Sequence, residues 1–258
     1  MTIRVLSVFG TRPEAVKMAP VVHALNKNTG FESHVCVTAQ HREMLDQVLT
    51  LFKIKPDYDL DLMRPDQSLA DLSAAIFTSL DPVMESLKPD WVLVQGDTTT
   101  VAIASLLAYY RRIRVGHVEA GLRTFDKWQP FPEEINRRVA GITADLHFAP
   151  TEWTKSNLLK EGIPESIIRV TGNPVIDALK VVAKQEEPTL ITELARKLGL
   201  GQGKRLILVT AHRRENFGEP LENIFTALKN LDCSGRILCE SPLMEEDAIY
   251  LQKVYENL

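Results

Sequence analysis

The sequence predicts an α/β fold with a doubly wound parallel sheet, and three observations support this prediction. Short apolar runs such as residues 91–94 (WVLV) are typical of strands that are buried on both faces. Segments with apolar residues at helical spacing lie between these runs. Turn-forming residues such as Gly96 follow the runs directly, so strands and helices alternate along the chain.

The predicted elements follow one another in a regular order. Strands are predicted at residues 5–9, 33–38, 91–95, 114–118, 146–149, 167–171, 206–210 and 237–239. Helices are predicted from Glu14, over 43–52, 68–87, 99–110 and 133–144, from Thr151, and over 175–183, 190–198, 219–231 and 244–258. Pro82 predicts a break in the helix at 68–87, because proline lacks the N–H that the helix needs.

The turn at Gly172-Asn173-Pro174 is the predicted domain boundary. Residues 1–171 are expected to form a complete domain with a parallel sheet. Residues 172–258 are expected to contain a second sheet that is incomplete in this chain.

Composition excludes several classes of protein. The chain has 258 residues, 45% hydrophobic and 25% charged, with a formal net charge of −4, which does not suit a non-specific nucleic-acid binder. No apolar segment approaches the roughly 20 residues that span a bilayer, and the N-terminus begins with a strand instead of a signal peptide. The three cysteines, Cys36, Cys233 and Cys239, have no metal-ligand spacing, which predicts a reducing compartment, the cytoplasm.

Three carboxylates, Asp97, Glu119 and Glu133, follow predicted sheet elements. The carboxyl ends of parallel strands form the floor of a ligand crevice, so these groups are candidates for acid–base catalysis. Two of these carboxylates could also have purely structural roles. Asp97 could cap the next helix, and Glu133 could pair with Arg137 four residues later. Glu119 has mainly apolar neighbours, where a carboxylate is costly without a partner or a task.

Cationic residues occur after two predicted strands. Gly10 allows a tight turn whose exposed amides, together with Arg12 and Lys17, favour an anion such as phosphate. His212 opens a second cationic group, His212-Arg213-Arg214, which could equally be a solvated turn. A crevice with acids and cations suits chemistry on a sugar whose leaving group is a diphosphate.

Six segments resemble the signature blocks of the non-hydrolysing UDP-N-acetylglucosamine 2-epimerases, in the same order. They are residues 9–15 (FGTRPEA), 38–42 (TAQHR), 96–100 (GDTTT), 116–124 (GHVEAGLRT), 132–137 (PEEINR) and 210–216 (TAHRREN). The resemblance covers roughly residues 3–231.

The resemblance implies two Rossmann-like domains of the glycosyltransferase-B type, a homodimer in the full-length family, and no metal or nicotinamide cofactor. It implies interconversion of UDP-GlcNAc and UDP-ManNAc by elimination and re-addition of UDP through 2-acetamidoglucal, which would feed cell-surface polysaccharide synthesis. It also implies roles for the matching residues. The acid–base candidates are Asp97, Glu119 and Glu133. His212 is also implied to be catalytic, because it would stabilise the diphosphate together with Arg12. The other substrate-binding candidates are Gly10, Lys17, His41 and Arg137.

The chain also departs from the family pattern. Some relatives have Gln after the His-Arg pair of the second block and bind an activating substrate there, whereas this chain has Glu43, so Gln40, Arg42 and Glu43 are allosteric candidates only. The later Tyr-Pro-Val-His and Asp-Ser-Gly-Gly segments, which grip the nucleotide, are absent from this sequence. The alternative interpretations are a catalytically impaired remnant that binds a sugar nucleotide or a partner, and a hydrolysing epimerase or glycosyltransferase. The chain alone is expected to bind UDP-sugars poorly and to turn them over slowly or not at all.

Overall fold

The computed structural model describes residues 2–39, 42–62, 64, 66–200, 207–210, 218–229 and 237–240. The chain divides into two compact units, Met1–Lys184 and Gln185–Leu258.

The first unit contains a seven-stranded sheet with helices between its strands. The strands are β1 (Ile3–Phe9), β2 (Phe31–Val37), β3 (Tyr58–Asp59), β4 (Trp91–Gln95), β5 (Arg114–Val118), β6 (Leu146–Ala149) and β7 (Ile168–Val170). The helices are α1 (Arg12–Lys27), α2 (Arg42–Leu51), α3 (Leu69–Leu87), α4 (Thr99–Tyr110), α5 (Glu133–Thr143), α6 (Glu152–Lys160) and α7 (Pro174–Val182). A short 3₁₀ turn at Glu165–Ile167 precedes β7.

The sheet confirms the predicted α/β class and the parallel strand arrangement. Its strand order is β3-β2-β1-β4-β5-β6-β7, and every pair of neighbouring strands is parallel. The strand order reverses direction between β1 and β4. In open α/β sheets the crevice that binds a ligand lies outside the carboxyl ends of the strands at such a reversal. The loops after β1, β4 and β5 therefore lie where a site is expected.

Helices cover both faces of the sheet. On β1, Leu6 and Val8 pack in one apolar cluster with residues of α3 and α4. The alternate residues Val5 and Phe9 pack in a second cluster with residues of α1 and α2. Successive side chains of a strand point to opposite faces, so this division confirms that the sheet is wound on both sides.

The predicted break at Pro82 is wrong, because α3 continues through this residue. The helix buries Leu80 and Met84 on either side of it, in a stripe that also includes Leu72 and Ile76. Pro82 itself is exposed. Packing of this stripe against the sheet therefore maintains the helix, although a proline inside a helix costs about 3 kcal/mol.

The division between the units lies after Lys184, some way beyond the boundary predicted at Gly172. The physical reason is α7, whose Ala178 is buried in the same cluster as Ala15 and Met18 of α1. This helix therefore packs with the first unit. In the second unit the structure describes α8 (Thr189–Leu198), β8 (Ile207–Thr210), α9 (Glu219–Lys229) and β9 (Ile237–Glu240), with β8 and β9 parallel.

Gly121 joins the end of β5 to the loop that precedes α5. Its φ is +87°, a left-handed conformation that suits glycine. A Cβ atom at this position would also lie only 2.3 Å from the carbonyl oxygen of Thr154. Gly162 has a similar φ of +83°, but no heavy atom lies within 4 Å of its hypothetical Cβ.

We expect Gly121→Ala to lower the free energy of unfolding by about 2–5 kcal/mol, because the left-handed backbone and the clash both oppose the new Cβ. Gly162→Ala is the matched control and should cost only about 1–2 kcal/mol, since it changes the backbone preference alone. Urea unfolding of both variants measures the difference. Equal losses would show that the close approach to Thr154 is not a constraint.

Candidate functional site

Two of the predicted carboxylates lie at the carboxyl ends of neighbouring strands in the sheet. Asp97 follows β4 and Glu119 follows β5, and these strands are direct neighbours. The backbone of Gly96 lies against Glu119, since a Cβ atom on Gly96 would be 3.9 Å from Oε2 of that carboxylate. Glu133, the third, is the first residue of α5, the helix that follows β5.

Glu119 is buried, with 8% of its surface exposed, and has donors from three different segments. Its Oε2 accepts hydrogen bonds from Nζ of Lys17 and Nε2 of Gln95, both at 2.5 Å. Its Oε1 accepts from Nδ2 of Asn173 at 2.6 Å. The contact with Lys17 is also a salt bridge. The expectation that a carboxylate in this position needs partners is therefore met by α1, β4 and the start of α7.

The backbone of Glu119 has a φ of +63°, which is uncommon for a residue with a Cβ atom. Such conformations cost about 1–3 kcal/mol and persist only where the surrounding structure holds them. Here the three donors to the side chain supply that restraint. The strained backbone and the fully hydrogen-bonded carboxylate together indicate a side chain whose position matters.

Asp97 and Glu133 differ in their partners. A guanidinium NH2 group of Arg137 donates to Oδ2 of Asp97, and the other terminal nitrogen donates to Glu134 at 3.3 Å. Arg137 therefore pairs with Asp97 and Glu134, and not with Glu133 as the helical spacing had suggested. Among the residues that the structure describes, no donor lies within hydrogen-bond distance of the buried Oε2 of Glu133. Buried polar atoms usually have a hydrogen-bond partner, so this oxygen is an exception.

The turn after β1 differs from the expected anion cradle. The backbone N–H groups of Gly10 and Thr11 both donate to Oε2 of Glu14, at 2.9 and 2.7 Å. Oε1 of the same carboxylate accepts from the hydroxyl of Thr98 at 2.7 Å. Both amides are therefore already used inside the protein. Arg12 is exposed at the start of α1, where its cation stays available to an anion.

Glu14 thus ties the loop after β1 to the loop after β4. The side chain is almost completely buried, and this burial raises its pKa even though four hydrogen bonds act in the opposite direction. Gly10 is required here for space, because a Cβ atom on it would lie 2.1 Å from Oγ1 of Thr38. The spacing of Thr11 and Glu14, a Thr followed three residues later by Glu, is a capping signal that could have identified this residue.

Glu134 has a similar structural role in the loop before α5. It is completely buried and accepts from the backbone N–H groups of Thr124 and Phe125, at 3.1 and 3.2 Å. Arg137 and Arg138 also donate to it. The charge of this buried carboxylate is therefore balanced, and the loop is held at its base. Nothing in the local sequence distinguishes Glu134 from its neighbour Glu133.

His117 supports the backbone beside Asp97. Its Nε2 lies 2.7 Å from the carbonyl oxygen of Gly96, and a carbonyl can only accept, so Nε2 carries the proton. Burial lowers the pKa of His117 to about 4, with the hydrogen bond to Gly96 acting in the opposite direction. The imidazole is consequently neutral at neutral pH. It fixes the turn that presents Asp97 without adding a charge to the site.

Several predicted site residues cannot be placed. Gln40, His41 and His212 lie outside the described residues. Arg42 and Glu43 are the first residues of α2, and the structure describes their backbone alone. Conversely, Gln95 and Asn173 contact Glu119 but were not among the predicted site residues.

Comparisons with known proteins show the family of the chain. A family model described as UDP-N-acetylglucosamine 2-epimerase matches residues 23–250. The chain belongs to this family. It is 57% identical over 232 residues to the UDP-N-acetylglucosamine 2-epimerase of Yersinia pestis, an alignment that covers 89% of this chain and 62% of that relative. The chain therefore spans less than two thirds of the length of this relative.

Solved structures of family members share the fold. The UDP-GlcNAc 2-epimerase of Neisseria meningitidis, solved with UDP-GlcNAc bound, is 48% identical with a TM-score of 0.88 and is matched over 98% of this chain and 70% of that one. The epimerase of Methanocaldococcus jannaschii, solved in complex with UDP-GlcNAc and UDP, is 30% identical with a TM-score of 0.82, over 99% and 70% of the two chains. Within the described part of this chain, no helix has the length and apolar character needed to cross a membrane.

We expect His117 to make stability depend on pH on the acid side of neutrality. A folded-state pKa of about 4, against an ordinary value of 6.5, means that the stabilisation is present above pH 6.5 and is lost as the pH falls towards 4. Between pH 6.5 and 4.5 the wild type should therefore lose about 2–3 kcal/mol more than His117→Gln.

Urea unfolding of both proteins at the two pH values gives this difference directly. Glutamine keeps an N–H that can donate to Gly96, so the variant is expected to fold. Equal losses in the two proteins would show that His117 is not held neutral by its burial.

Proposed function

We propose that the protein interconverts UDP-GlcNAc and UDP-ManNAc by inverting the configuration at C2 of the sugar. The observation that carries the proposal is the buried carboxylate of Glu119, which accepts hydrogen bonds from Lys17, Gln95 and Asn173. It lies at the carboxyl end of β5, and Asp97 follows the neighbouring strand β4. Membership of the epimerase family supports it, as do the two related structures that contain UDP-GlcNAc.

The proposed route is an elimination followed by an addition. The C2 proton of the sugar is not acidic, because no carbonyl adjoins it, so direct deprotonation and reprotonation would be too slow. In the first step the bond from C1 to the UDP oxygen breaks, a base takes the C2 proton, and a C1–C2 double bond forms. The products of this step are UDP and 2-acetamidoglucal. In the second step UDP bonds to C1 again, and an acid delivers a proton to the other face of C2.

The carboxylates are the groups proposed to move these protons. Asp97, Glu119 and Glu133 are the candidates, since two differently placed groups must act on opposite faces of the sugar. The contacts in the described residues bear on this choice. Glu119 is held by three donors, whereas Oε2 of Glu133 accepts none from the described residues. An oxygen without a partner calls for an explanation, which keeps Glu133 among the candidates.

Cations are proposed to stabilise the diphosphate as it leaves and returns. Arg12 is exposed at the start of α1, and Lys17 lies one turn further along the same helix, where it neutralises Glu119. His212 and His41 are assigned to the diphosphate and to a secondary contact by the family resemblance. Charge that develops on a leaving group is stabilised most by donors that are already in place.

The proposal also covers the roles of the two units, the oligomeric state, the location and the regulation of the protein. The first unit supplies the acid–base residues and the second contributes to nucleotide binding, without metal or nicotinamide. The proposed protein acts in the cytoplasm, as a homodimer like the full-length members of the family, and feeds cell-surface polysaccharide synthesis. Activation by a second substrate molecule would involve Gln40, Arg42 and Glu43.

We expect Glu119→Gln to lower the turnover of UDP-GlcNAc by about 10²–10⁴-fold, because glutamine has nearly the same size but cannot accept the proton. In D₂O the wild type should incorporate deuterium at C2 of the sugar. Mass spectrometry and NMR of the product measure both effects.

The matched control is Glu152→Gln, which removes an exposed carboxylate from the first turn of α6 and should leave turnover unchanged. Epimerisation without deuterium at C2 would exclude the elimination route. Release of free ManNAc would identify a hydrolysing enzyme in place of the proposed one. Unchanged turnover in Glu119→Gln would remove Glu119 from the acid–base set.

A further inference from the structure

Asn173 uses both ends of its side-chain amide. Its Oδ1 accepts a hydrogen bond from the backbone N–H of Val175 at 3.0 Å, which caps the N-terminus of α7. Its Nδ2 donates to Oε1 of Glu119 at 2.6 Å. A flipped amide would lose the cap and would place one oxygen against another. The two contacts therefore fix the direction of the amide, with the NH₂ group towards the carboxylate.

The two oxygens of Glu119 are restrained separately. Lys17 and Gln95 both donate to Oε2, and Asn173 is the donor to Oε1 in the described part of the chain. With Oε2 alone held, the carboxylate could still pivot about this oxygen through small rotations of the other side-chain bonds. The contact with Asn173 holds the second oxygen and opposes this pivot, so it helps to set the plane of the carboxylate. Proton transfer depends on such orientation, because the acceptor oxygen must point at the proton that it takes.

The position of Asn173 is itself fixed by packing. Asn173 lies between Gly172, which has a φ of +78°, and Pro174, the first residue of α7. Ala178 of this helix is buried in the apolar cluster that contains residues of α1, the helix that carries Lys17. Lys17 and Asn173, which donate to different oxygens of Glu119, are thus attached to two helices that share a core. A side chain anchored in this way can hold its partner more accurately than one in an isolated loop.

We propose that Asn173 is a positioning residue for Glu119, and that its amide sets the orientation in which this carboxylate exchanges a proton with the sugar. The inference rests on the proposed function, in which Glu119 belongs to the acid–base set. Its alternative is that Asn173 serves as a helix cap and nothing more. The two roles use different atoms of the side chain, so they can be separated by substitution.

Asn173→Asp is the decisive variant. Aspartate has the same shape and is an equally good N-cap, so the contact with Val175 and the stability of α7 should be kept. It replaces the donor to Glu119 by an oxygen, which removes the restraint and repels the carboxylate. We expect kcat to fall by about 10–100-fold, as for other residues that orient an active group. KM should stay within about twofold, because the substrate does not contact Asn173 in this role.

Asn173→Ser provides a second variant with a different geometry. Serine also caps helices well, but its hydroxyl is too short to reach Glu119 while it caps, so kcat should fall again without loss of the helix. The matched control is Asp177→Asn, an exposed position in the first turn of α7, which should leave kcat and KM unchanged. Urea unfolding of each variant shows whether the fold is kept.

A spectroscopic measurement tests the contact independently of turnover. In ¹⁵N-labelled wild type, the side-chain NH₂ resonances of Asn173 should move on Glu119→Gln and stay in place in the control Asp177→Asn. If the wild type does not turn over UDP-GlcNAc, the proposed function fails, while this measurement still decides whether Asn173 holds Glu119. The inference is overturned if these resonances do not respond to Glu119→Gln. In an active protein it is also overturned if Asn173→Asp keeps the kcat of the wild type.

Discussion

The carboxylate of Glu119 at the end of β5 is the point where three separated segments meet. A buried charge costs several kcal/mol unless partners replace the water it has lost, and Glu119 finds these partners in Lys17, Gln95 and Asn173. Each donor depends on a different feature of the fold: the helix after β1, the strand beside β5, and the helix that follows β7. The hydrogen bonds of this one side chain therefore depend on how the strands and helices of the first unit are arranged.

The acids of this unit fall into two groups with different tasks. Glu14 and Glu134 are completely enclosed, and their oxygens accept hydrogen bonds from the backbone of nearby loops. Asp97 and Glu119 lie just beyond the ends of β4 and β5, and Glu133 is the first residue of α5. The enclosed acids fix the loops, and the loops position the other acids. The proposed active site needs rigid support around its acid–base candidates, and the enclosed carboxylates provide part of that support.

The residues around Asp97 and Glu119 include both neutral and charged groups. His117 is held neutral by burial and donates to the backbone of Gly96, next to Asp97. Lys17 and Arg137 form salt bridges with Glu119 and Asp97. The site thus balances its acids with cations while its backbone is fixed by an uncharged donor. Such a balance limits the free-energy cost of placing several carboxylates near the carboxyl ends of neighbouring strands.

The sequence by itself determined the parallel sheet, six of its seven strands, and the placement of Asp97 and Glu119 after β4 and β5, because apolar periodicity and turn residues are local signals. The short strand β3 was not predicted. Only the tertiary structure decided the partners. Helix α3 continues through Pro82, and Arg137 pairs with Asp97. The contacts of Glu119 with Lys17 and Asn173 join positions 102 and 54 residues apart. Such contacts depend on which strands and helices become neighbours, and no short stretch of sequence contains that information.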